Sequence, residues 1–282
     1  MYWSIGILQG SDVRCLNAPA DVRNPVLSAR HVTDIAARFV ADPFMIRVEG
    51  LWHMFFEVMP VASPTGVIAH AESDDGLRWT YRGVVLHEPV HLSYPCVFAW
   101  KDDIYMVPES RRAREVRLYR ADPFPTRWQC VGVLARGDFA DPTPFRHQGL
   151  WWMYVASGPA SKSRLELLFA ESLDGPWLTH PSSPVVADDN IAARPAGRVV
   201  QTAEGLMRLG QNCSRIYGEN VHAFEVEISR TQYRERALNP NPILSPSGFG
   251  WNARCMHHAD AHFVEAGRWL ACVDGAGDDP YP

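Results

Sequence analysis

Ala41-Asp42-Pro43-Phe44, running into Gly50-Leu51-Trp52-His53-Met54-Phe55-Phe56, is a unit that this chain uses more than once. One near copy is Ser93-Tyr94-Pro95-Cys96-Val97-Phe98, running into Asp103-Ile104-Tyr105-Met106-Val107. Another is Ala140-Asp141-Pro142-Thr143-Pro144-Phe145, running into Gly149-Leu150-Trp151-Trp152-Met153-Tyr154. Each reads as strand, tight turn, strand, the pattern of a β-hairpin. The copies start about fifty residues apart. That period is too long for a helical solenoid unit and suits one four-stranded propeller blade. Two looser copies complete the set: Ala193–Val200 followed by Glu204–Leu209, and His258–Val264 followed by Gly267–Val273.

Smaller elements recur between the hairpins. Ala71-Glu72-Ser73-Asp74-Asp75-Gly76-Leu77-Arg78-Trp79 matches Ala170-Glu171-Ser172-Leu173-Asp174-Gly175-Pro176-Trp177, and Tyr119–Phe124 with Trp128 is a looser copy. This element reads as a third strand, a turn and an outer fourth strand, with the tryptophan packed between neighbouring sheets. Asn24-Pro25-Val26-Leu27, Ser183-Pro184-Val185-Val186 and Asn241-Pro242-Ile243-Leu244 read as crossovers into the next blade. The expected fold is all-β: a five-bladed β-propeller with about four antiparallel strands per blade, filling residues 1–282 as a single domain. The leading strand, Tyr2–Leu8, belongs to no unit. It is expected to complete the last blade and close the ring, which removes free sheet edges. The stretch 31–39 allows one short helix at most.

The chain has 282 residues, 46% of them hydrophobic, enough for a sizeable core. A net charge of −5 and a pI near 6.1 argue against a nucleic-acid partner. The run Arg111-Arg112-Ala113-Arg114 reads as a solvated hairpin. Ten tryptophans and 22 prolines suit an all-β chain with short turns. The cysteines, Cys15, Cys96, Cys130, Cys213, Cys255 and Cys272, have no metal-ligand spacing. They read as reduced, mostly buried thiols of a cytoplasmic protein. Neither a signal peptide nor a membrane span is read from the sequence.

In a propeller the first strand of each blade lines the axis, and its start opens on one mouth. Asp42, Tyr94, Asp141, Arg194 and either His258 or Asp260 hold the equivalent positions and are therefore expected to converge. An aspartate before proline is a good turn residue. That accounts for either aspartate alone, but poorly for Arg194 and for His257-His258-Ala259-Asp260. The set reads as a pocket.

At these residues the chain resembles five-bladed propeller glycosidases, above all glycoside hydrolase family 43. The resemblance implies that Asp42, in Ala41-Asp42-Pro43, is the general base. It also implies that Asp141, in Ala140-Asp141-Pro142, tunes the general acid. Arg194 stands where that family has its blade-four glutamic acid, and an arginine cannot donate a proton near neutral pH. A closer resemblance covers almost the whole chain. It rests on Ala41-Asp42-Pro43-Phe44, Phe55-Phe56-Glu57, His91-Leu92-Ser93-Tyr94-Pro95 and Val107-Pro108-Glu109-Ser110. Ala193-Arg194-Pro195-Ala196-Gly197-Arg198 and Gly250-Trp251-Asn252 with Met256-His257-His258 extend it. These runs are similar to the N-terminal domain of glucosamine inositolphosphorylceramide transferases and its free-standing bacterial relatives. The resemblance implies the propeller and a glycan context. In the plant proteins a separate C-terminal domain carries the glycosyltransferase fold, so the transferase activity is not carried over.

Glu57 and Glu109 each end a second strand after an apolar run, where a carboxyl group tends to keep its proton and can donate it. Glu109 is the candidate acid, with a salt bridge to Arg111 or Arg112 as its structural alternative. Asp42 is the candidate base or nucleophile. Asp141 or Arg194 would hold a substrate hydroxyl or carboxylate. Arg194 suits an acidic or phosphorylated glycan; a salt bridge to Asp42 or Asp141 is the other reading. Glu57, Tyr94, His257, His258 and Asp260 are candidate binding residues. His258, Asp260 and His262 share one strand face, and hydrogen-bonded histidines are favoured there over a zinc site. No cofactor is required; the family 43 likeness implies at most a weakly bound calcium-like ion near the axis. Among Trp52, Trp151, Trp152, Phe249 and Trp251, the last, with Asn252 in the Gly-rich loop Ser247–Asn252, is assigned to the pocket rim and the others to the core. Two functions follow. One is a glycoside hydrolase-like enzyme cleaving a glycosidic bond with a carboxylate pair. The other is a non-catalytic glycan-binding accessory in surface-polysaccharide or glycolipid assembly.

Overall fold

In the computed structural model, which describes residues 1–159, 163–265 and 267–279, five antiparallel sheets follow the five sequence units. The leading strand is β1 (Tyr2–Gly10). Blade one comprises β2 (Ala37–Val48), β3 (Leu51–Pro60), β4 (Val67–Ser73) and β5 (Thr80–Leu86). Blade two comprises β6 (Ser93–Trp100), β7 (Asp103–Glu109), β8 (Glu115–Ala121) and β9 (Trp128–Arg136). In blade three, β10 (Ala140–His147), β11 (Leu150–Ser157), β12 (Arg164–Ala170) and β13 (Leu178–Thr179) are joined by β14 (Val186–Ala187), which also pairs with β12. Blade four has β15 (Arg194–Pro195), β16 (Val200–Gln201), β17 (Leu206–Asn212), β18 (Asn220–Ile228) and β19 (Tyr233–Ala237). Blade five has β20 (Ala259–Glu265) and β21 (Arg268–Gly277). Its third strand is β1, paired with β21 from Tyr2 opposite Gly277 to Gly10 opposite Trp269. The ring closes as the sequence leads one to expect.

The repeated X-Pro step has a structural meaning. Register is lost between Ala41 and Phe44, between Ser93 and Cys96, and between Ala140 and Thr143. Each break is a bulge that re-aims a side chain. The residues inside the bulges, Asp42, Tyr94 and Asp141, have φ of 54°, 46° and 50°. Residues other than glycine seldom adopt that left-handed region, and a following proline makes it less favourable still. Strain of this kind persists only where the surroundings impose it, and it concentrates at functional sites.

Blade four departs from the pattern. Its first strand is broken into β15 and β16, not continuous as the repeat suggests. Gly197, between them, has φ of 131° and donates its amide to Tyr94 Oη at 2.7 Å. A Cβ at this position would stand 1.8 Å from the Ala259 carbonyl oxygen. The chain therefore dips towards blades two and five here and leaves its own sheet.

The Pro-containing segments read as crossovers first run back along the blade just finished. Val26, Val185 and Ile243 donate their amides to Ile5, Leu165 and Val221, each at 2.8 Å. These acceptors lie on the third strands β1, β12 and β18. The recurring tryptophans behave alike. The indole N–H of Trp79, Trp128 and Trp177 donates to the turn carbonyls of Gly76, Pro125 and Leu173. Their rings pack against the preceding blade, as when Trp128 meets Phe55 edge-on at 5.2 Å.

One expectation holds within its limit and one needs correction. The short helix is a single 3-10 turn at Ala29–His31, and 37–39 already belong to β2. All six cysteines are free, but only Cys96, Cys255 and Cys272 are buried; Cys15 and Cys130 are exposed. Cys130 lies on the solvent-facing outer strand β9. Among the described residues no helix is long and apolar enough to cross a membrane.

Candidate functional site

At one mouth of the ring lies a cavity of 210 Å³ lined by Asp42, Glu57, Glu109, Asp141, Arg194 and His257, with Trp3, His91 and Tyr217 in its walls. Asp42 and Asp141 reach it from the bulged starts of β2 and β10. Glu57 and Glu109 reach it from the second strands β3 and β7, opposite Ala41 and Ser93.

A recurrent hydrogen bond orders these groups. Glu109 Oε2 accepts the amide of Asp141 at 3.0 Å. Asp274 Oδ2, near the end of β21, accepts the amide of Asp42 at 3.0 Å. In both cases a second-strand carboxylate caps the bulged residue that opens the following blade. Between blades one and two the pattern shifts. Asp42 Oδ2 itself accepts the Tyr94 amide at 3.3 Å, and Glu57 is released from that role. Glu57 is 5% exposed, and its Oε1 has no hydrogen-bond partner among the described residues. His91 Nε2 lies 3.5 Å from it. His91 Nδ1 accepts the Gly66 amide at 2.9 Å, which fixes the proton of the neutral ring on Nε2. A Cβ on Gly66 would stand 2.7 Å from Glu57 Oε1, so this glycine keeps the carboxyl uncrowded.

Two ion pairs flank the acids. Arg194 grips Asp141 through Nε at 2.6 Å and Nη2 at 3.2 Å, a bidentate contact. The same Nη2 is 4.0 Å from Glu109 Oε2, and the guanidinium lies 5.1 Å from the centre of the Tyr217 ring. Gln211 donates to Asp141 Oδ2 at 3.4 Å. Opposite, His257 Nδ1 bonds Asp274 Oδ1 at 2.7 Å, while Nε2 is 3.6 Å from Asp42 Oδ1. Trp3 stacks on His257 at 4.0 Å.

Burial and crowding of like charges raise the remaining acids. Burial, with Asp274 and Asp141 nearby, pushes Asp42 up to about 7 against the pull of His257. Burial and Asp141 push Glu109 up to about 8. Burial, then Asp42 and Glu109, hold Glu57 well above the usual carboxylate range. Burial opposes the charge on His257, but Asp274 and Asp42 outweigh it and raise the ring. Near neutral pH the pocket thus holds two ion pairs and a set of carboxyls able to carry protons.

The other predicted residues lie elsewhere. Tyr94 points down the axis, where its hydroxyl meets Thr143 Oγ1 at 2.9 Å and accepts from Gly197; only its amide serves the pocket. His258, buried below the mouth, meets the Pro43 carbonyl at 2.9 Å through Nε2. Asp260 is deeper still, bonded to Arg198, the Met45 amide and His262. These three form the plug beneath the cavity and do not line it. Trp251 and Asn252 do not line the cavity. Gly6 and Gly275 have no side chain to hold Trp251 away, so it packs against β1 and β21. It lines a separate groove that shares none of the described residues with the axial cavity. Trp52, Trp151 and Trp152 are core, and Phe249 is 76% exposed. Glu109 is not paired with Arg111, which bonds Asp138 instead.

A calcium-like ion fits the axial residues poorly. Asp42, His257 and Asp274 are close enough to share a cation. Asp274, however, is occupied by His257 Nδ1 and by the amides of Asp42 and His257, and calcium needs six or more oxygen ligands.

Five residues of the site escaped the sequence reading; one, His91, appeared there only as part of a matching run. Asp274 had a signal: Val273-Asp274 sits in its hairpin as Phe56-Glu57 and Pro108-Glu109 sit in theirs. Gln211 lies on β17 opposite Arg194, legible only once the pairing is known. Trp3 comes from the ring-closing strand. Tyr217 comes from the loop between β17 and β18, held over His257 by Gly218, where a Cβ would stand 2.5 Å from His257 Cβ.

Comparison with known proteins agrees with this architecture. The family model described as glucosamine inositolphosphorylceramide transferase 1, N-terminal, matches residues 3–276. The transferase of that name from Oryza sativa subsp. indica is 35% identical over 264 residues, covering 90% of this chain and 36% of its own length. The chain therefore spans little more than a third of that relative. Among solved structures, a β-1,2-mannobiose phosphorylase from Listeria innocua superposes with a TM-score of 0.67 at 13% identity, covering 90% of this chain and 95% of that one. A thermostable family-43 glycoside hydrolase gives 0.58 at 12%, covering 71% and 76%. These structural likenesses concern the fold.

Proposed function

We propose a function from one premise: this chain belongs to the family described as glucosamine inositolphosphorylceramide transferase 1, N-terminal. The axial cavity binds a single sugar unit of a glycan or glycolipid headgroup and performs acid–base chemistry at its glycosidic bond. The observation that carries this reading is Glu57 Oε1, a buried carboxyl oxygen without a hydrogen-bond partner among the described residues, in a cavity it shares with Asp42. A cavity of 210 Å³ is below the range of about 300–1,000 Å³ that encloses drug-sized ligands, and suits one ring.

In this reading the proton donor is a carboxyl raised by its surroundings, Glu57 or Glu109. Glu57 is the freer of the two, because Glu109 is tied to the Asp141 amide. Asp42 activates the attacking water from the other side. The Arg194–Asp141 pair and Gln211 fix the sugar hydroxyls, and Trp3 and Tyr217 offer faces for the ring. A general acid or base contributes about 10²–10⁴-fold to rate. On a panel of aryl glycosides and oligosaccharides, the wild-type chain is expected to release sugar. Asp42→Asn and Glu57→Gln are expected to lose at least about 100-fold in kcat/KM. Equal turnover by wild type and both variants sinks the assignment.

A second reading is favoured by the Arg194–Asp141 pair, which fills the blade-four acid position with an ion pair. The site then binds the sugar without cleaving it, as an accessory to glycan or glycolipid assembly. Saturable glycan binding with no cleavage, weakened by Arg194→Ala, would select it.

A further inference from the structure

His53, His70 and Glu72 lie away from the axis, on the face of blade one that packs against blade two. His53 is on β3 directly opposite Glu72 on β4, and His70 is two residues before Glu72 on the same strand. Alternation along a strand sends all three side chains to one face. His53 Nδ1 and His70 Nε2 point at each other at 3.0 Å. With a Glu72 oxygen, one donor atom from each residue lies within 4.8 Å of the others. Phe124 meets His53 edge-on at 4.7 Å, and Phe55 stacks on His70 at 5.1 Å. An apolar wall thus closes one side. Glu72 is a quarter exposed and gives access from solvent; its other neighbour is the half-exposed Arg82.

From this geometry we propose that His53, His70 and Glu72 form a binding site for a divalent transition-metal ion of the zinc class. Two imidazoles and one carboxylate are borderline donors, which select Zn²⁺, Co²⁺ or Ni²⁺ over calcium and magnesium. Three protein ligands leave a fourth position to water. In the metal-free protein the facing nitrogens share one proton, so one imidazole already presents a lone pair there. Binding displaces that proton to the other ring nitrogen of the same imidazole, so both histidines stay neutral: two metal–nitrogen bonds and one metal–carboxylate bond form, and waters leave the ion's hydration shell. Arg82 turns away or keeps the second oxygen of Glu72. The site is independent of the axial pocket, since Asp42, His257 and Asp274 belong to a different group of potential ligands.

The test is titration of the untagged full chain with Zn²⁺ by calorimetry and with Co²⁺ by visible absorption. The expected result is one ion per chain, with tetrahedral Co²⁺ bands and binding that weakens as acid pH protonates the ligands. His70→Gln and His53→Gln are each expected to weaken binding by more than about 100-fold, and Glu72→Gln by at least about 10-fold. Glu72→Gln keeps the shape of a partly exposed side chain, so it reports even if a histidine variant fails to fold. Asp42→Asn is expected to leave metal binding unchanged. The proposal is overturned by absence of saturable binding of either ion, by binding that persists unchanged in Glu72→Gln and His70→Gln, or by loss of binding in Asp42→Asn alone.

Discussion

Asp42, Tyr94 and Asp141 occupy one position of a repeat, yet each does something different with it. Asp42 turns its carboxyl to the Tyr94 amide, Asp141 receives Arg194, and Tyr94 plugs the axis. Identical backbone and different side chains are how a symmetric ring acquires an asymmetric pocket. The consequence for pH follows from the raised acids. Asp42, Glu57 and Glu109 hold protons in the folded chain at pH values where the unfolded chain has lost them. Stability therefore falls as pH rises through that window, up to about 8 for Glu109. His257, raised, contributes with the same sign above its ordinary value of 6.5. Asp274, lowered beside His257 despite its burial, acts at the acid end. Its stabilisation is present above the unfolded value of 3.8 and is lost as pH falls. Urea midpoints of the wild type are expected to decline between about pH 5 and 8, and those of Asp42→Asn/Glu57→Gln/Glu109→Gln to decline less. Parallel profiles would contradict the charge states described here.

At the scale of elements, the hairpins were legible and their interruption was not. Apolar alternation around Gly50 and Gly149 announces a turn between strands. The Ala193–Val200 stretch carries the same alternation, but Gly197 diverts it. The reason is a long-range fit to Ala259 and Tyr94, which no local pattern records. Gly197→Ala would force a Cβ against the Ala259 carbonyl at a φ that L-residues avoid. The expected loss is at least about 2 kcal/mol in urea unfolding, and a loss below about 0.5 kcal/mol would mean the strand break is incidental. The second-strand carboxylates teach the same lesson. Glu57 and Glu109 were found because glutamate after an apolar run is conspicuous. Asp274 was missed because its partner, His257, sits in a degenerate copy of the repeat. Trp251 misled for the converse reason: a tryptophan in a Gly-rich loop looks like a rim residue, but the glycines that receive it lie on β1 and β21.

For the molecule as a whole, the ring is a circuit completed by one strand. Ile5 and Ile7 of β1 are fully buried, and β1 covers the edge of β21 along its length. Removing 1–10 would open that edge and strip the seam shared by blades five and one. The shortened chain is expected to aggregate or to lose its cooperative thermal transition, read by scattering and near-UV circular dichroism. A variant that stays monomeric with an unchanged transition would show that the closure is dispensable. The same strand also sets an order of events during synthesis. β1 is made before the other strands of the ring, and its hydrogen-bonding partner β21 follows more than two hundred residues later. Until then one edge of β1 is unpaired, and the cavity mouth that Trp3 helps to wall is incomplete. Completion of the pocket wall therefore depends on a contact of very high sequence separation and waits for the β20–β21 hairpin.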